Sequence, residues 1–233
     1  MKKTGASTKS KVLRHSTPKP SDKLACGNEQ NIALIEKHIE RHLGDYATVW
    51  HEIISDFVHI DIHVVPPSKK RPFYTLVTSG MSDKPMKVPK GAGKLRYAEL
   101  MLCLPPDWPM EEKDRKNPRN WWPIEFLKFL ARLPHRYDTW LYWGHTIPRG
   151  EQASHFPGTK LCCALIGPPS HAPEKFQRLK VSPKKTINFY AVYFLYREEM
   201  ELKMEYGFET LGECLEKVNA TELVEIKRKN GAK

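Results

Sequence analysis

The period of the hydrophobic pattern changes several times along the 233 residues. From Asn31 to Leu43, Ile32, Ile35, Ile39 and Leu43 recur at helical spacing while Glu36, Lys37, Glu40 and Arg41 turn away, and Gly44 stops the run, so the spacing predicts an amphipathic helix. Three strand-like stretches follow, His59 to Val65, Phe73 to Ser79 and Tyr97 to Leu104, separated by Pro66, Pro67, Pro72 and a Gly/Pro/Lys-rich link from Pro85 to Gly93. They read as neighbouring antiparallel strands. Pro123 opens a second helix in which Ile124, Leu127, Leu130 and Ala131 form the apolar stripe and Glu125, Lys128 and Arg132 the polar one. Its end is expected at or before Leu133, because Pro134 disfavours helical geometry in the residue ahead of it.

Trp140 to Ile147 and Lys160 to Ile166 then read as strands, followed by a proline-rich connection from Pro168 to Pro173. The stretch Ile187 to Tyr196 is apolar at nearly every position and rich in β-branched and aromatic residues, which predicts a central strand covered on both faces. Arg197 to Tyr206 and Phe208 to Val218 are predicted helices broken at Gly207, with Leu211, Leu215 and Val218 on one face. There is no internal repeat. The order implies an α+β (mixed α/β) fold, a central, mostly antiparallel sheet covered by helices, in a single domain over residues 26 to 226.

Composition changes this picture mainly at the ends. Residues 1 to 25 are rich in Lys, Ser, Thr and Pro without hydrophobic periodicity and are expected to form a disordered basic arm, and residues 227 to 233 a basic tail. The formal net charge of +11 invites a nucleic-acid reading, but residues 1 to 23 carry +6 and the last seven +4, which leaves +1 on residues 24 to 226. A basic groove is not indicated, and any contact with nucleic acid is expected to be weak and through the tails. No apolar run is long enough to span a membrane or serve as a signal peptide, so a cytoplasmic location is expected. The five cysteines, Cys26, Cys103, Cys162, Cys163 and Cys214, lack C-x-x-C spacing and read as reduced thiols. On a regular strand, Cys162 and Cys163 would point to opposite faces.

Candidate chemistry is sparse. His59, Asp61 and His63 alternate along a predicted strand, which sets them on one face, while Ile60, Ile62 and Val64 face the core. One reading is a polar outer face; the other is a metal site, completed by His51, His135 or His145, in a metal-dependent hydrolase or nuclease. The run Thr78 to Asp83 reads as a strand ending in a turn at Gly80, with Ser82 or Asp83 bonding the backbone. No nucleophile elbow, Walker loop, zincin motif or dinucleotide turn is present. Of six tryptophans, Trp108 and Trp121 fall in or beside a loop, where a large ring with a polar edge either packs on the core or anchors a protein interface.

Several ordered motifs together carry a resemblance. Tyr74-Thr-Leu-Val-Thr-Ser-Gly-Met-Ser-Asp83, Tyr97-Ala-Glu-Leu-Met-Leu-Cys-Leu-Pro-Pro-Asp-Trp108, Trp122-Pro-Ile-Glu-Phe-Leu-Lys-Phe-Leu-Ala-Arg-Leu133 and Gly144-His-Thr-Ile147 resemble suppressor-of-fused-like domains, especially bacterial ones, over about Asp61 to Gly207. The resemblance implies a mixed α/β domain without known catalytic activity or cofactor. The animal member of the family sequesters zinc-finger transcription factors of the Hedgehog pathway. Bacterial members are associated with toxin systems, where some look like immunity proteins. The chain is too short for the additional C-terminal domain of the animal protein, so what transfers is protein binding, with a co-encoded toxin as a candidate partner. The expected partner-binding residues are Asp61, His63, Ser79, Gly80 and Asp83 on the strand face and its turn, with Trp108, Trp143 and His145 in the aromatic loops.

Overall fold

A computed structural model describes residues 11–15, 27–52 and 57–233. Most of the arm expected over residues 1 to 25, and Cys26, lie outside the described residues.

The first helix, α1 (Glu29–Leu43), starts where the Asn28 side chain accepts from the Asn31 N–H and ends at Gly44, whose φ of 103° suits a residue without a Cβ. Eight strands form one sheet: β1 (Thr48–Trp50), β2 (Asp61–Val65), β3 (Tyr74–Ser79), β4 (Tyr97–Leu104), β5 (Thr146–Pro148), β6 (Leu161–Gly167), β7 (Arg178–Ser182) and β8 (Lys185–Tyr196). Their order is β1-β2-β3-β4-β8-β6-β5, with β7 also on β8. Every pairing is antiparallel except β4 with β8. The apolar strand β8 is therefore interior to the sheet, as its composition predicts. Beyond Met101, β8 leaves β4 for β6, and the chain near Leu223 takes its place: the Cys103 N–H donates to Glu222 O and the Val224 N–H to Cys103 O, each at 2.9 Å.

The period of two along the strands divides the interior into layers. On one face Ile62, Val64, Leu76, Leu100, Leu102, Tyr190 and Val192 meet Trp122, Ile124, Leu127, Leu130 and Ala131 of α2 (Pro118–Arg136). On the other, Val65, Val77, Met101, Phe189 and Ala191 meet Ile35, Ile39 and Leu43 of α1. Cys162, Cys163, Leu165 and Leu195 on that side lie with Leu211 and Leu215 of α4 (Phe208–Lys217), which follows α3 (Arg197–Tyr206) across Gly207.

Four expectations are corrected. The second helix is longer at both ends. Pro118 sits in its first turn, and past Pro134 it continues to Arg136, because a proline near the C-terminus removes only its own N–H while Tyr137 N still bonds Leu133 O and Thr139 N bonds Pro134 O. The stretch Trp140 to Ile147 is a strand only from Thr146, with Gly144 and His145 already bonded to Ile166. Its rings stack instead, Trp140 on Tyr142 at 6.0 Å and Tyr142 on Trp143 at 5.6 Å, and Gly144 turns the chain with φ 82°. Cys162 and Cys163 pack in the same layer, because a register shift between Leu161 and Cys163 interrupts the alternation. Finally, the strand face that carries His63 is covered by α1 and is not an outer face; His63 is fully buried.

Candidate partner-binding site

The residues that the sequence singles out fall into three places. Asp61, His63, Ser79, Gly80 and Asp83 come together where β2 and β3 pair, with Asp61 opposite Ser79. The Asp61 carboxylate, 2% exposed, is bracketed by His51 Nδ1 at 3.1 Å and His59 Nε2 at 3.0 Å and accepts from the Glu52 N–H at 3.0 Å. Glu52 in turn accepts from the Ile60 N–H and pairs with Arg132 of α2. The imidazoles thus bond the carboxylate directly. His63, two strand positions further on, pairs its Nε2 with Ser79 Oγ at 2.8 Å, and its Nδ1 lies 3.8 Å from Glu36 Oε1, too far for a hydrogen bond. Burial pushes the His63 imidazole down to about 4. The set His59, Asp61 and His63 does not converge on one point, and among the described residues no three His, Cys, Asp or Glu side chains are placed to hold a metal ion.

The turn after β3 is built around Gly80, in the left-handed region at φ 101°, where a Cβ would overlap the His59 carbonyl oxygen. It leads into a short 3-10 turn, Met81–Asp83, and Asp83 accepts from the Asn28 N–H at 2.9 Å and from Asn31 Nδ2 at 2.7 Å. Beside it lies Glu99 of β4, fully buried, accepting from Thr78 Oγ1 at 2.7 Å and from the N–H and Oγ of Ser82 at 2.9 and 2.7 Å. Desolvation pushes its carboxyl up to about 7, the three hydrogen bonds only partly opposing it. Glu99 was legible in principle as a lone acid inside the apolar run Tyr97 to Leu104.

Trp108 lies elsewhere, half-buried, with its Nε1 donating to Asn120 O at 2.9 Å and its ring edge-on to Trp122. It borders a cleft of about 590 Å³ whose walls include Pro105, Asp107, Arg119, Gly158 and Ile226. The C-terminal segment forms one wall, and it is bonded down: Arg228 grips the fully buried Glu199 with Nη1–Oε1 at 2.6 Å and Nη2–Oε2 at 2.5 Å, while Lys233 pairs with Glu198 at 2.8 Å. Charge alone made residues 227 to 233 read as a tail; the acids that receive two of its basic groups lie in α3, where an unpaired glutamate reads as solvent-facing.

Trp143 and His145 form the third place. His145 packs edge-on against Trp140 at 4.7 Å, and burial lowers its pKa. Trp143 is 37% exposed, and next to it Phe208 lies over Gly144, 3.3 Å from where a Cβ would stand.

These features sit in a chain whose residues 56–229 match the family model described as Suppressor of fused protein (SUFU). The chain belongs to the Suppressor of fused family. Among solved structures it is similar to a SUFU homologue from Neisseria gonorrhoeae, with 16% identity and a TM-score of 0.60 over 88% of this chain and 98% of that one. It is also similar to a chain in the Sufu–Fu complex, at 13% identity and TM-score 0.58, covering 90% and 93%. Drosophila Suppressor of Fused aligns with TM-score 0.50 and 13% identity over 84% of this chain but 49% of its own length. No curated protein matches in sequence. The mixed sheet with helices on both faces is thus the family's fold, and no helix among the described residues is long and apolar enough to cross a membrane.

Proposed function

We propose that the chain is a non-enzymatic, cytoplasmic protein-binding module that acts as an immunity or antitoxin protein by sequestering a co-encoded toxin. The observation that carries this reading is the division between interior and surface. Four groups with acid–base or nucleophilic capacity, His63, Ser79, Ser82 and Glu99, are buried and bonded to one another or to neighbouring strands. Large rings, by contrast, stand at the surface around Trp108 and Trp143, where an amphipathic side chain is the usual anchor of an interface. The similarity to a chain of the Sufu–Fu complex supports protein binding as the use of this fold.

In this reading Trp108 and Trp143 touch the partner. His145 packs beside the Trp143 loop, while Asp61, His63, Ser79, Gly80 and Asp83 fix the β2–β3 end of the sheet. The test is co-expression with the products of neighbouring genes. The chain is expected to co-purify with one of them and to protect cells from it, and W108A and W143A are expected to weaken both effects while leaving the chain folded. Failure of the wild-type chain to bind or neutralise any of those products would overturn the immunity role.

A further inference from the structure

The acids of the chain are not spread evenly. From Arg197 to Lys217, helices α3 and α4 hold seven glutamates against three basic residues, net −4 in a chain of net +11, so the remaining residues carry +15. Two of the three bases are committed, Arg197 donating to the carbonyls of Gln152 and Ala153 and the buried Lys203 to Thr146 Oγ1, and two of the seven acids are paired as well, Glu199 with Arg228 and Glu198 with Lys233. Glu201, Glu205, Glu209, Glu213 and Glu216 are exposed.

The same hairpin carries much of the exposed large apolar surface: Tyr206 is 52% exposed, Phe208 40% and the adjoining Trp143 37%. Along α4, Phe208, Gly212 and Leu215 follow one helical stripe, which Asn219 extends beyond the helix end, and Glu209, Glu213 and Glu216 the next. The first stripe is one wall of an apolar groove of about 340 Å³ closed on the other side by Leu165, Gly167 and Tyr193. Gly212 is open at the position of a side chain, which keeps the groove clear.

We infer that this groove is the docking site for a basic segment of the partner protein, one that places an apolar side chain against Phe208 and Leu215 and lysines or arginines against Glu209, Glu213 and Glu216. The inference rests on the protein-binding reading above and names the chemistry of the partner. Charge selects the occupant: a cationic segment is attracted here and repelled by the +15 carried elsewhere, which orients the encounter as well as holding it. The chain's own basic stretch does not cover the groove among the described residues. His15 packs on Tyr137, and Val12 and Leu13 are 61% and 54% exposed.

The test uses the full chain, ¹⁵N-labelled, titrated with a synthetic amphipathic peptide of leucine and lysine and, in parallel, with its leucine–glutamate counterpart. The lysine peptide is expected to move the Trp143 indole signal and the amides of residues 205 to 216, with an affinity that falls as salt is added. F208A and the charge-reversed pair E209K/E213K are expected to lose about tenfold in affinity, and the glutamate peptide to produce no shift. Both variants change exposed positions, and an unchanged melting temperature shows that they are folded. Shifts that map elsewhere, or equal binding by wild type and both variants, overturn the inference. So does movement of the Trp143 and α4 signals on deleting residues 1 to 23, which would mean that the arm, in the same chain or in a second copy, already fills the groove. A co-encoded toxin separates the two levels. If it binds wild type and E209K/E213K equally, the groove assignment fails and the binding module stands. If no toxin binds but the peptide still maps to α4, the immunity role fails and the groove stands.

Discussion

Replacing Glu99 by glutamine should change how stability depends on pH, and the size of the change follows from burial. The Glu99 carboxyl is fully buried and raised to about 7 from an ordinary 4.5. A raised folded-state value means that the folded chain holds this proton more tightly than the unfolded chain. The stabilisation is complete below 4.5 and is lost as pH rises through 7, amounting to about 3 kcal/mol at about 1.4 kcal/mol per unit. His63 works in the opposite direction. Lowered to about 4 from 6.5, its neutral imidazole favours the folded chain above 6.5, and a similar stabilisation of about 3 kcal/mol is lost as pH falls through 4. In the wild type these two slopes oppose each other between pH 4.5 and 6.5, and His38, His42, His135 and His145, also lowered by burial, add to the upward side. E99Q loses the downward slope, so its stability climbs with pH more steeply than that of the wild type; H63Q loses one upward slope, so its stability climbs less. Loss of the Thr78 hydroxyl's acceptor in E99Q costs about 1 kcal/mol at every pH and does not affect the slope. The other histidines lowered by burial, His38, His42, His135 and His145, are common to wild type and variant and cancel in the difference. Urea unfolding reads the effect: at about 2 kcal/mol per molar, the midpoint difference between E99Q and wild type should move by roughly 1.5 M from pH 4.5 to pH 8. Curves for E99Q and wild type that run parallel to within about 0.5 kcal/mol over that range would refute the reasoning, because the carboxyl would then be solvated or paired in the folded chain.

Three further outcomes are expected. Gly80→Ala combines a left-handed backbone with overlap on the His59 carbonyl and should cost about 3 kcal/mol or more, read by the same urea series; a loss below about 1 kcal/mol would show that the turn relaxes freely. Arg228→Ala strands the fully buried Glu199 and should cost about 3–5 kcal/mol by thermal melt, whereas Lys229→Ala should be close to neutral; equal effects would contradict a docked Arg228. In the native chain at neutral pH, a thiol reagent should reach the half-buried Cys214 before Cys103, which burial pushes up to about 12, and before the fully buried Cys162 and Cys163, as peptide mapping would show; early labelling of Cys103 would count against the packing of β4.

The elements whose order comes from local pattern were readable without the structure. The α1 stripe, the strands Tyr97 to Leu104 and Ile187 to Tyr196, and the break at Gly207 all stand as their periodicity predicts. What local pattern misjudged was set by tertiary context. Two prolines inside α2 are tolerated because Trp122, Leu127, Leu130 and Leu133 bury its face against the sheet. The strand β7, Arg178–Ser182, is not among the predicted strands although its basic and apolar residues alternate, because the run is only five residues long; it finds the first half of β8 as a partner. The candidate site divides in the same way. The meeting of His63 with Ser79 follows from adjacent strands in register, but the cover over it comes from α1, and the partners of Asp61 come from a loop ahead of β2.

The four acids buried among the described residues share a use that bears on the proposed protein-binding role. Asp61, Glu99, Glu199 and Glu222 are each 2% exposed or less, and each accepts a backbone N–H from a segment outside its own element. Asp61 takes Glu52; Glu99 takes Ser82; Glu199 takes Tyr196 and Gly231; Glu222 takes Ser170 and His171. A carboxylate in low dielectric that loses such a donor is costly to leave unpaired, so each of these contacts resists opening of the loop that supplies it. The segments held in this way include the turn after β3, the connection after β6, and the C-terminal run that walls the Trp108 cleft and caps the α3 end of the acidic hairpin. A surface fixed from inside loses less conformational entropy when a partner settles on it, and that saving goes directly into affinity. On this account the interior acids matter to binding without touching the partner: substituting Glu222 or Glu199 should weaken recognition through faster dissociation, whereas changing Glu209 or Glu213 on the hairpin should first slow association and reduce its salt dependence.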